Sequence, residues 1–450
     1  MRWSTTASPR GELVPAGRGR VSNRTTFLMV AVLVVAMAGA AGCTGPGAAR
    51  AITRSDSLTG EGPITFVTGA DTIPYIQPLL NRWNAAHPAE KVTLVQLPAD
   101  ADDQHAQMVA NLQARSDLYD VFDLDVIWTP EFASQGWIIP LSPRQFPLGQ
   151  FLPSAVRTAE WDGRLWAVPY KSNAGLLFYR KDILAAEGVQ PPRTWAQLAD
   201  EAQAIAPRHH MYGYGGQYAL YEGLTVNFAE AVQSAGGAIL SPDGKHVVLD
   251  SRQARDGLQF LVDGIRAGWI PRAALSWDEN KASAEFDAGK LLFMRNWPLA
   301  YGLASRPGPG SGVVGKVGVT ALPGPQGPGS SSLGGGNLAI SAFSRHQRTA
   351  LQFIQYFTSE SSNRQVLTQG SLPPVYTKFY DNPQLIRQFP YLPVLKQAIL
   401  SAKKRPESTN YNQLSLAVSS WVYQALSMRK PVNDTITGLS GQLAGIVSSG

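Results

Sequence analysis

The sequence has only one cysteine, Cys43, in 450 residues, and this scarcity excludes an internal disulfide framework. The six histidines form neither an H-E-x-x-H motif nor a pair at a spacing typical of zinc sites, so no metal site is predicted. No G-x-S-x-G motif occurs, which weakens a serine-hydrolase interpretation. The match to G-x-G-x-x-G at residues 310–315 lacks a preceding strand and a following helix, so we interpret it as loop glycines. No cofactor is predicted.

An excess of positive charge is also missing once the first residues are set aside. Residues 1–26 hold five arginines and one glutamate, a net charge of +4, which leaves about +2 of the formal +6 for the rest of the chain. The whole-chain pI of 9.3 therefore overstates how basic the remaining protein is. This balance gives no argument for a nucleic-acid partner, and none is predicted.

The single cysteine follows an apolar segment. Residues 27–42 are uncharged and fall short of the ~20 residues that a bilayer span needs. A basic leader, a short apolar run and a small-residue exit are typical of a secretory signal peptide, predicted here at residues 1–42. The sequence AAGC, ending at Cys43, resembles the lipobox of bacterial lipoproteins, which implies cleavage before this residue and acylation of its thiol. An ordinary signal peptide with an incidental thiol is the alternative.

Residues 43–62 have no apolar periodicity and are predicted to be a flexible tether of ~25 Å. The following ~390 residues exceed what one hydrophobic core usually supports, so two domains are expected. No second segment is long and apolar enough to cross a membrane, which predicts a soluble body tied to a surface. Strand-like runs at 64–69, 91–98 and 119–128 alternate with helical patterns. This rhythm predicts parallel strands and an α/β architecture.

Aromatic side chains beside acids and amides are the main chemical feature of this body, which contains ten of the tryptophans. A sugar offers weakly apolar C–H faces and a rim of hydroxyls. Flat aromatic rings suit the faces, and charged or amide groups suit the hydroxyls. Composition alone is a weak signal for this chemistry, because most tryptophans serve in cores.

Seven stretches of the sequence resemble segments of extracellular solute-binding proteins of ABC sugar importers, and they occur in the same order along the chain. The resemblance is closest to the trehalose/maltose-binding branch, including trehalose-binding lipoproteins of actinobacteria, and it covers nearly the whole mature chain. The matching stretches are DLDVIWTPEFASQGWIIPLS (123–142), LWAVPYKSNAGLLFYRKDIL (165–184), YEGLTVNFAEAVQSAGGAIL (221–240), AEFDAGKLLFMRNWPLAYGL (284–303), LGGGNLAIS (333–341), GSLPPVYTKFYDNP (370–383) and KKRPESTNYNQLS (403–415).

The resemblance implies a two-lobed periplasmic-binding-protein-like fold of type II, with the ligand in a cleft between lobes joined by hinge strands. Lobe one is expected at 63–174 plus 342–380, and lobe two at 175–341 plus 381–450. Closure of the hinge would bury most of the ligand.

The resemblance also assigns ligand-binding roles to individual residues. Asp125 would accept hydrogen bonds from a sugar diol, Asn173 would both donate and accept, and Glu222 would contact the sugar. Trp297 would supply the aromatic platform, and Arg405 would reach the sugar from the C-terminal region. The alternatives are a turn or cap role for Asp125 and a hinge turn for Asn173. Glu222 could instead be a helix-terminal charge, and Arg405 could be a solvated surface residue.

Two glycines and two further residues complete the predicted site. Gly335 and Gly336 would let the backbone approach the ligand closely. Gly336 falls where the trehalose/maltose branch can carry tryptophan, and Lys171 lies where some relatives have an aromatic residue. Asp71 is expected to substitute for a glutamate that the first loop lacks. These departures leave a larger, phosphorylated or acidic sugar open.

The implied function is that of a lipid-anchored substrate-binding component of an ABC transporter. It would capture an oligosaccharide, a trehalose- or maltose-like disaccharide, and deliver it to the permease as a monomer at the outer face of the cytoplasmic membrane. One alternative is a secreted lipoprotein glycosidase, which needs two carboxylates facing each other across the cleft. Another is a structural or adhesive surface lipoprotein, which would lack a closed pocket.

Overall fold

The computed structural model describes residues 58–70, 73–308 and 311–448. The strands are β1 Ile64–Gly69, β2 Val92–Leu97, β3 Val121–Asp125, β4 Glu160–Trp161, β5 Arg164–Leu165, β6 Val168–Ala174, β7 Leu176–Arg180, β8 Tyr212–Gly215, β9 Leu291–Asn296, β10 Val317–Thr320 and β11 Leu333–Ile340. The helices are α1 Ile73–Ala86, α2 Ala101–Gln113, α3 Thr129–Ser134, α4 Pro153–Val156, α5 Lys181–Ala186, α6 Trp195–Ile205, α7 Glu222–Ser234, α8 Arg252–Ala267, α9 Glu279–Asp287, α10 Leu299–Ala304, α11 Gln347–Phe357, α12 Glu360–Gly370, α13 Pro383–Gln388, α14 Leu392–Ser401, α15 Tyr411–Leu426 and α16 Val432–Ser448.

The first sheet has the strand order β2-β1-β3-β11-β6. Strand β1 pairs in parallel with β2 and β3, whereas β11 is antiparallel to both β3 and β6. Helix α1 buries Ile76, Leu79, Leu80 and Trp83, the residues whose spacing predicts a helix. The α/β prediction is therefore confirmed. Because β1 and β3 are parallel, their carboxyl ends lie at the same edge of the sheet.

The second sheet has the order β10-β7-β9-β8, with β8 and β9 parallel and the other pairs antiparallel. Its strand β9 is buried along its whole length, so its side chains are apolar or internally paired. Helices α7, α8, α15 and α16 pack against one another, and α6 and α9 pack on strands β8 and β9 of this sheet. The two sheets form the two lobes.

The chain crosses between the lobes at three places, which are hydrogen-bonded to one another. The first is Gly175, between β6 and β7, whose carbonyl accepts from the hydroxyl of Ser331 at 2.6 Å. The second, at Ser331 and Ser332, leads into β11. The third is Lys403, whose amide donates to the Ser331 carbonyl at 2.9 Å and whose carbonyl accepts from the amide of Leu333 at 2.9 Å. These three segments form the hinge.

Two predicted lobe boundaries differ from this arrangement. Residues 333–341 were expected in lobe two, but β11 lies between β3 and β6 in the first sheet. Residues 381–401 were also expected there, but α14 packs on β6. Lobe one thus comprises 58–174 and 333–401, and lobe two comprises 176–331 and 405–448, within the described ranges. Sequence patterns define each element, whereas its sheet partner depends on contacts between segments far apart in the chain.

The predicted tether overlaps the folded body at its end. The Thr59 hydroxyl donates to the Ser344 carbonyl at 3.2 Å, and the Gly62 amide donates to the Thr349 hydroxyl at 3.1 Å. Residues 58–62 are therefore held against the start of α11. Across the described ranges, no helix is both long and apolar enough to cross a membrane.

Candidate functional site

A cleft between the lobes is lined by residues from both sheets. Lobe one contributes the carboxyl ends of β1 and β3, the start of α2, and β6; lobe two contributes the starts of α7 and α9 and the end of β9. Its cavity volume is about 200 Å³. One water needs ~10–15 Å³ on the same measure, so the cleft has room for a small organic solute rather than a single ion.

A buried arginine joins the two lobes across this cleft. Arg405 donates from Nη2 to Oδ1 of Asp125 at 2.5 Å and from Nη1 to Oε1 of Glu222 at 2.7 Å. Asp125 ends strand β3 in lobe one, Glu222 begins helix α7 in lobe two, and Arg405 follows the third crossing. The sequence-predicted trio therefore meets at one point. Glu222 also accepts hydrogen bonds from the hydroxyls of Tyr411 and Ser415.

Burial governs the electrostatics of this trio. Arg405 is only 4% exposed and Glu222 only 5% exposed. Burial raises the pKa of Glu222, although Arg405 and the hydroxyl donors oppose the change. Burial disfavours the charged form of Arg405, but the negative charges of Asp125 and Glu222 outweigh it and raise the guanidinium pKa. The arginine therefore stays charged while it bridges the lobes.

Trp297 is fixed as a platform at the end of β9. The Arg295 guanidinium lies over its ring at 4.1 Å from the centroid, and the indole Nε1 donates to Oε1 of Glu279 at 3.2 Å. Arg295 is itself held by Glu230 through two hydrogen bonds of 2.7 Å. Because Arg295 covers one face of the indole, a ligand can stack only on the opposite face.

Asn173 and the adjacent glycines line the cleft beside this platform. The side-chain oxygen of Asn173 is buried and has no protein hydrogen-bond partner. A Cβ at Gly334 would lie 2.3 Å from that oxygen, so glycine is required there for space. Gly335 lines the cleft and has φ +144°, a backbone conformation that favours glycine. Gly336 is not among the residues that line the cleft; its Cα faces Asp123 and Lys171 instead.

Lys171 forms an ion pair at the floor of lobe one. Its Nζ lies 3.1 Å from Oδ2 of Asp123, which also accepts from the hydroxyls of Tyr170 at 2.7 Å and Thr68 at 2.8 Å. The Lys171 side chain is 15% exposed and lines the cleft. The charge of the Lys171 ammonium is thus balanced by the carboxylate of Asp123. The resemblance places an aromatic residue of some relatives at the position of Lys171.

Several lining residues escaped sequence reasoning. Glu279 accepts from the Tyr221 hydroxyl at 2.5 Å as well as from Trp297, and burial raises its pKa. Its neighbour Asp278 caps α9 by accepting from the amide of Lys281. The sequence SWDENKAS, where two acids precede a helical pattern, indicates the start of a helix but not that these acids face a cleft. The other missed residues include Asp100, Gln104, Asp123, Asn280, Ser283 and Asn296.

Two predicted residues cannot be located. Asp71 and Cys43 lie outside the described residues, as does the predicted signal peptide at 1–42. Among the residues that the structure does describe, no group of three histidine, cysteine or acidic side chains could hold a metal ion. Asp125 and Glu222 stand on opposite lobes, as the glycosidase alternative requires, but both are bonded to the same guanidinium.

Comparison with known proteins gives consistent results. The family described as bacterial extracellular solute-binding protein matches residues 69–364. A "probable ABC transporter-binding protein" of Deinococcus radiodurans is 32% identical over 80% of this chain and 87% of its own length. A maltotriose-binding protein of Pyrococcus abyssi is 25% identical over 62% of this chain and 60% of its own length.

A solved structure agrees over most of the fold. Maltose-bound MalE3 of T. maritima superposes with a TM-score of 0.81, is 32% identical, and covers 85% of this chain and 99% of its own. These relatives and neighbours are binding proteins and not enzymes, so the glycosidase interpretation is wrong. With a family match over residues 69–364 and a relative 32% identical across most of both chains, the chain belongs to the bacterial extracellular solute-binding protein family.

Proposed function

We propose that the chain is the lipid-anchored substrate-binding component of an ABC transporter. It captures an oligosaccharide, a trehalose- or maltose-like disaccharide, and delivers it to the membrane permease. The observation that carries this proposal is an indole platform opposite a set of hydrogen-bond acceptors, in a cleft whose two walls belong to lobes joined by a three-segment hinge.

The described contacts suit a sugar. The face of Trp297 opposite Arg295 would accept a pyranose C–H face, and the orientation of the ring is fixed in advance by Arg295 and Glu279. Arg405 donates to Oδ1 of Asp125, which leaves Oδ2 to accept from a ligand hydroxyl. The unpartnered side-chain oxygen of Asn173 can accept another. A ligand that supplies these hydrogen bonds removes the cost of leaving the buried acceptor unpaired.

Binding would then be coupled to closure through Arg405. This residue contacts Asp125 in lobe one and Glu222 in lobe two, so both walls of the cleft share one cation. A ligand that bridges the same walls favours the closed arrangement, and it does so only by its greater affinity for that arrangement. The closed protein presents the permease with a surface that the open protein lacks.

Two relatives support the sugar assignment by what their names state. The solved structure of MalE3 is described as maltose-bound, and the relative from Pyrococcus abyssi is described as maltotriose-binding. The relative from Deinococcus radiodurans is named as an ABC transporter-binding protein, which supports a permease as partner.

The anchor follows from the lone cysteine. After cleavage at residue 42, acylation of Cys43 with two or more chains would hold the protein stably, whereas one chain binds only marginally. Residues 44–57 would then lie between the lipid and the described body, whose first described residue is 58. Tethering raises the effective concentration of the receptor near its permease.

A ligand screen tests the proposal. The full-length protein, in a detergent without a sugar headgroup, is heated with trehalose, maltose, longer maltodextrins, sucrose, cellobiose or sugar phosphates. A ligand that binds only the native state should raise the free energy of unfolding by ~2.7 kcal/mol at a hundredfold excess over its dissociation constant. The bound sugar should be recovered unchanged after release.

Two tryptophan variants make the screen specific. Trp297→Ala should abolish the shift, because it removes the platform. Trp421→Ala is the matched control, since this half-buried tryptophan bonds to Gln442 at 2.6 Å and does not line the cleft. A chain that no sugar stabilises, or a shift that Trp297→Ala leaves intact, would refute the proposal.

A further inference from the structure

Lys171 reaches its partner across a neighbouring strand. Strand β11 separates β6 from β3, and Gly336 of β11 lies opposite both Lys171 and Asp125. The Lys171 side chain nevertheless bonds to Asp123, which is on β3. It must therefore pass over β11 at the position of Gly336.

The absence of a side chain at Gly336 makes this crossing possible. A Cβ built there would lie 2.5 Å from Cε of Lys171 and 2.5 Å from Oδ1 of Asp123. The backbone does not require glycine here, because the positive φ belongs to Gly335. The space above Gly336 is therefore filled by the Lys171–Asp123 ion pair.

The pair is a built feature of the cleft wall. Asp123 is 6% exposed and holds the hydroxyls of Tyr170 and Thr68 in addition to Lys171. The Lys171 ammonium also lies 5.0 Å from the centroid of the Tyr170 ring. Both members of the pair line the cavity. A ligand on this wall meets a neutralised, hydrogen-bonding surface rather than an aromatic ring.

The charges of the whole lining restrict what this surface can bind. Only Lys171 and Arg405 are cationic among the described lining residues, and both are paired with carboxylates. The acidic lining residues are Asp100, Asp123, Asp125, Glu222, Asp278 and Glu279. Carboxylates therefore outnumber cations, which repels a phosphorylated or acidic solute.

We propose that Lys171 is a specificity-determining residue, held on Asp123 over Gly336 so that it donates a hydrogen bond to a hydroxyl of a neutral sugar. Gly336 is the positioning residue that leaves room for it. This inference rests on the proposed function and names the ligand class of that same cleft.

A double-mutant cycle tests the pair. The four proteins are the full-length wild type, Lys171→Met, Gly336→Ala and the double variant. Affinities for trehalose, maltose, maltotriose and trehalose 6-phosphate are measured by titration calorimetry in a detergent without a sugar headgroup. Lys171→Met keeps most of the side-chain length and removes the donor, so affinity for the bound neutral sugar should fall about tenfold.

The double variant shows whether Gly336 acts on affinity through Lys171 or independently of it. Gly336→Ala should also weaken binding, because its Cβ displaces Lys171, and the double variant should bind within about twofold of Lys171→Met. Thermal unfolding without ligand reports stability separately. If Gly336→Ala does not fold, Lys171→Met alone still decides the matter, because a purely structural role would lower stability and leave the relative affinities for the sugars unchanged.

The outcomes separate this inference from the proposed function. Wild-type protein that binds no sugar would overturn both. Wild-type protein that binds a neutral sugar, with Lys171→Met binding it equally tightly, would overturn only the role of Lys171. Losses that multiply in the double variant would overturn the role of Gly336, and tighter binding of the sugar phosphate than of neutral sugars would overturn the ligand class.

Discussion

Replacing Arg405 by methionine should strongly destabilise the protein, because it leaves two carboxylates without their cation. Glu222 has a side chain only 6% exposed, and Asp125 one that is 24% exposed. Removing one partner of a buried ion pair typically costs ~3–5 kcal/mol, since the remaining charge is buried and unpaired. The hydroxyls of Tyr411 and Ser415 still donate to Glu222 and reduce this cost. We therefore expect the free energy of unfolding to fall by about 3 kcal/mol.

The measurement is urea unfolding of the ligand-free protein, followed by tryptophan fluorescence. Arg252→Met is the matched control, because Arg252 pairs with Asp256 on the surface of α8 and its side chain is 90% exposed. Such exposed pairs contribute little. Adding Glu222→Gln to Arg405→Met should recover part of the lost stability, since it removes one unpaired charge. An Arg405→Met variant no less stable than the surface control would refute the reasoning.

Three further predictions concern other residues. Glu230→Gln should weaken sugar binding although residue 230 does not line the cleft, because it loosens the Arg295 side chain that packs on Trp297. Titration calorimetry measures the affinity, and an unchanged affinity would contradict this prediction. Burial, then the charges of Glu222 and Asp100, raise the pKa of Asp102 to about 7. A raised folded-state pKa makes the native protein bind the proton more tightly, so its contribution to stability falls as pH rises from about 4 to 7. Asp102→Asn should therefore lose less stability than the wild type between pH 5 and pH 7.5 in thermal unfolding, and parallel curves would exclude this role. Cys43→Ser should move the protein from the membrane fraction to the soluble fraction; an unchanged distribution would argue against the lipid anchor.

The sequence was most informative where local pattern and chemistry coincide. Asp125 ends a buried strand, and the carboxyl ends of parallel strands meet at one edge, so its place in the cleft is a local property. The ligand-binding roles of Asp125, Glu222, Trp297 and Arg405 came from the family resemblance, and the structure brings all four to the same cleft.

What the sequence could not supply depends on contacts between distant segments. Strand β11 joins the first sheet although it follows the whole second sheet along the chain, and nothing in LGGGNLAIS specifies its neighbours. For the same reason, the sequence does not reveal the partner of Lys171, because Asp123 is 48 residues away and lies on the far side of β11. Glu279 was missed because a helix-terminal acid looks the same whether it faces solvent or a ligand.

The hydrogen bonds that join Gly175, Ser331 and Lys403 limit how the lobes can move. Three hydrogen-bonded connections resist twisting of one lobe against the other and leave bending across the hinge as the easy motion. A receptor that moves mainly by this one bending motion has few intermediate conformations between its open and closed states. If the proposed permease recognises this receptor, it would then meet either an open or a closed shape, and a partly occupied cleft would present no intermediate shape.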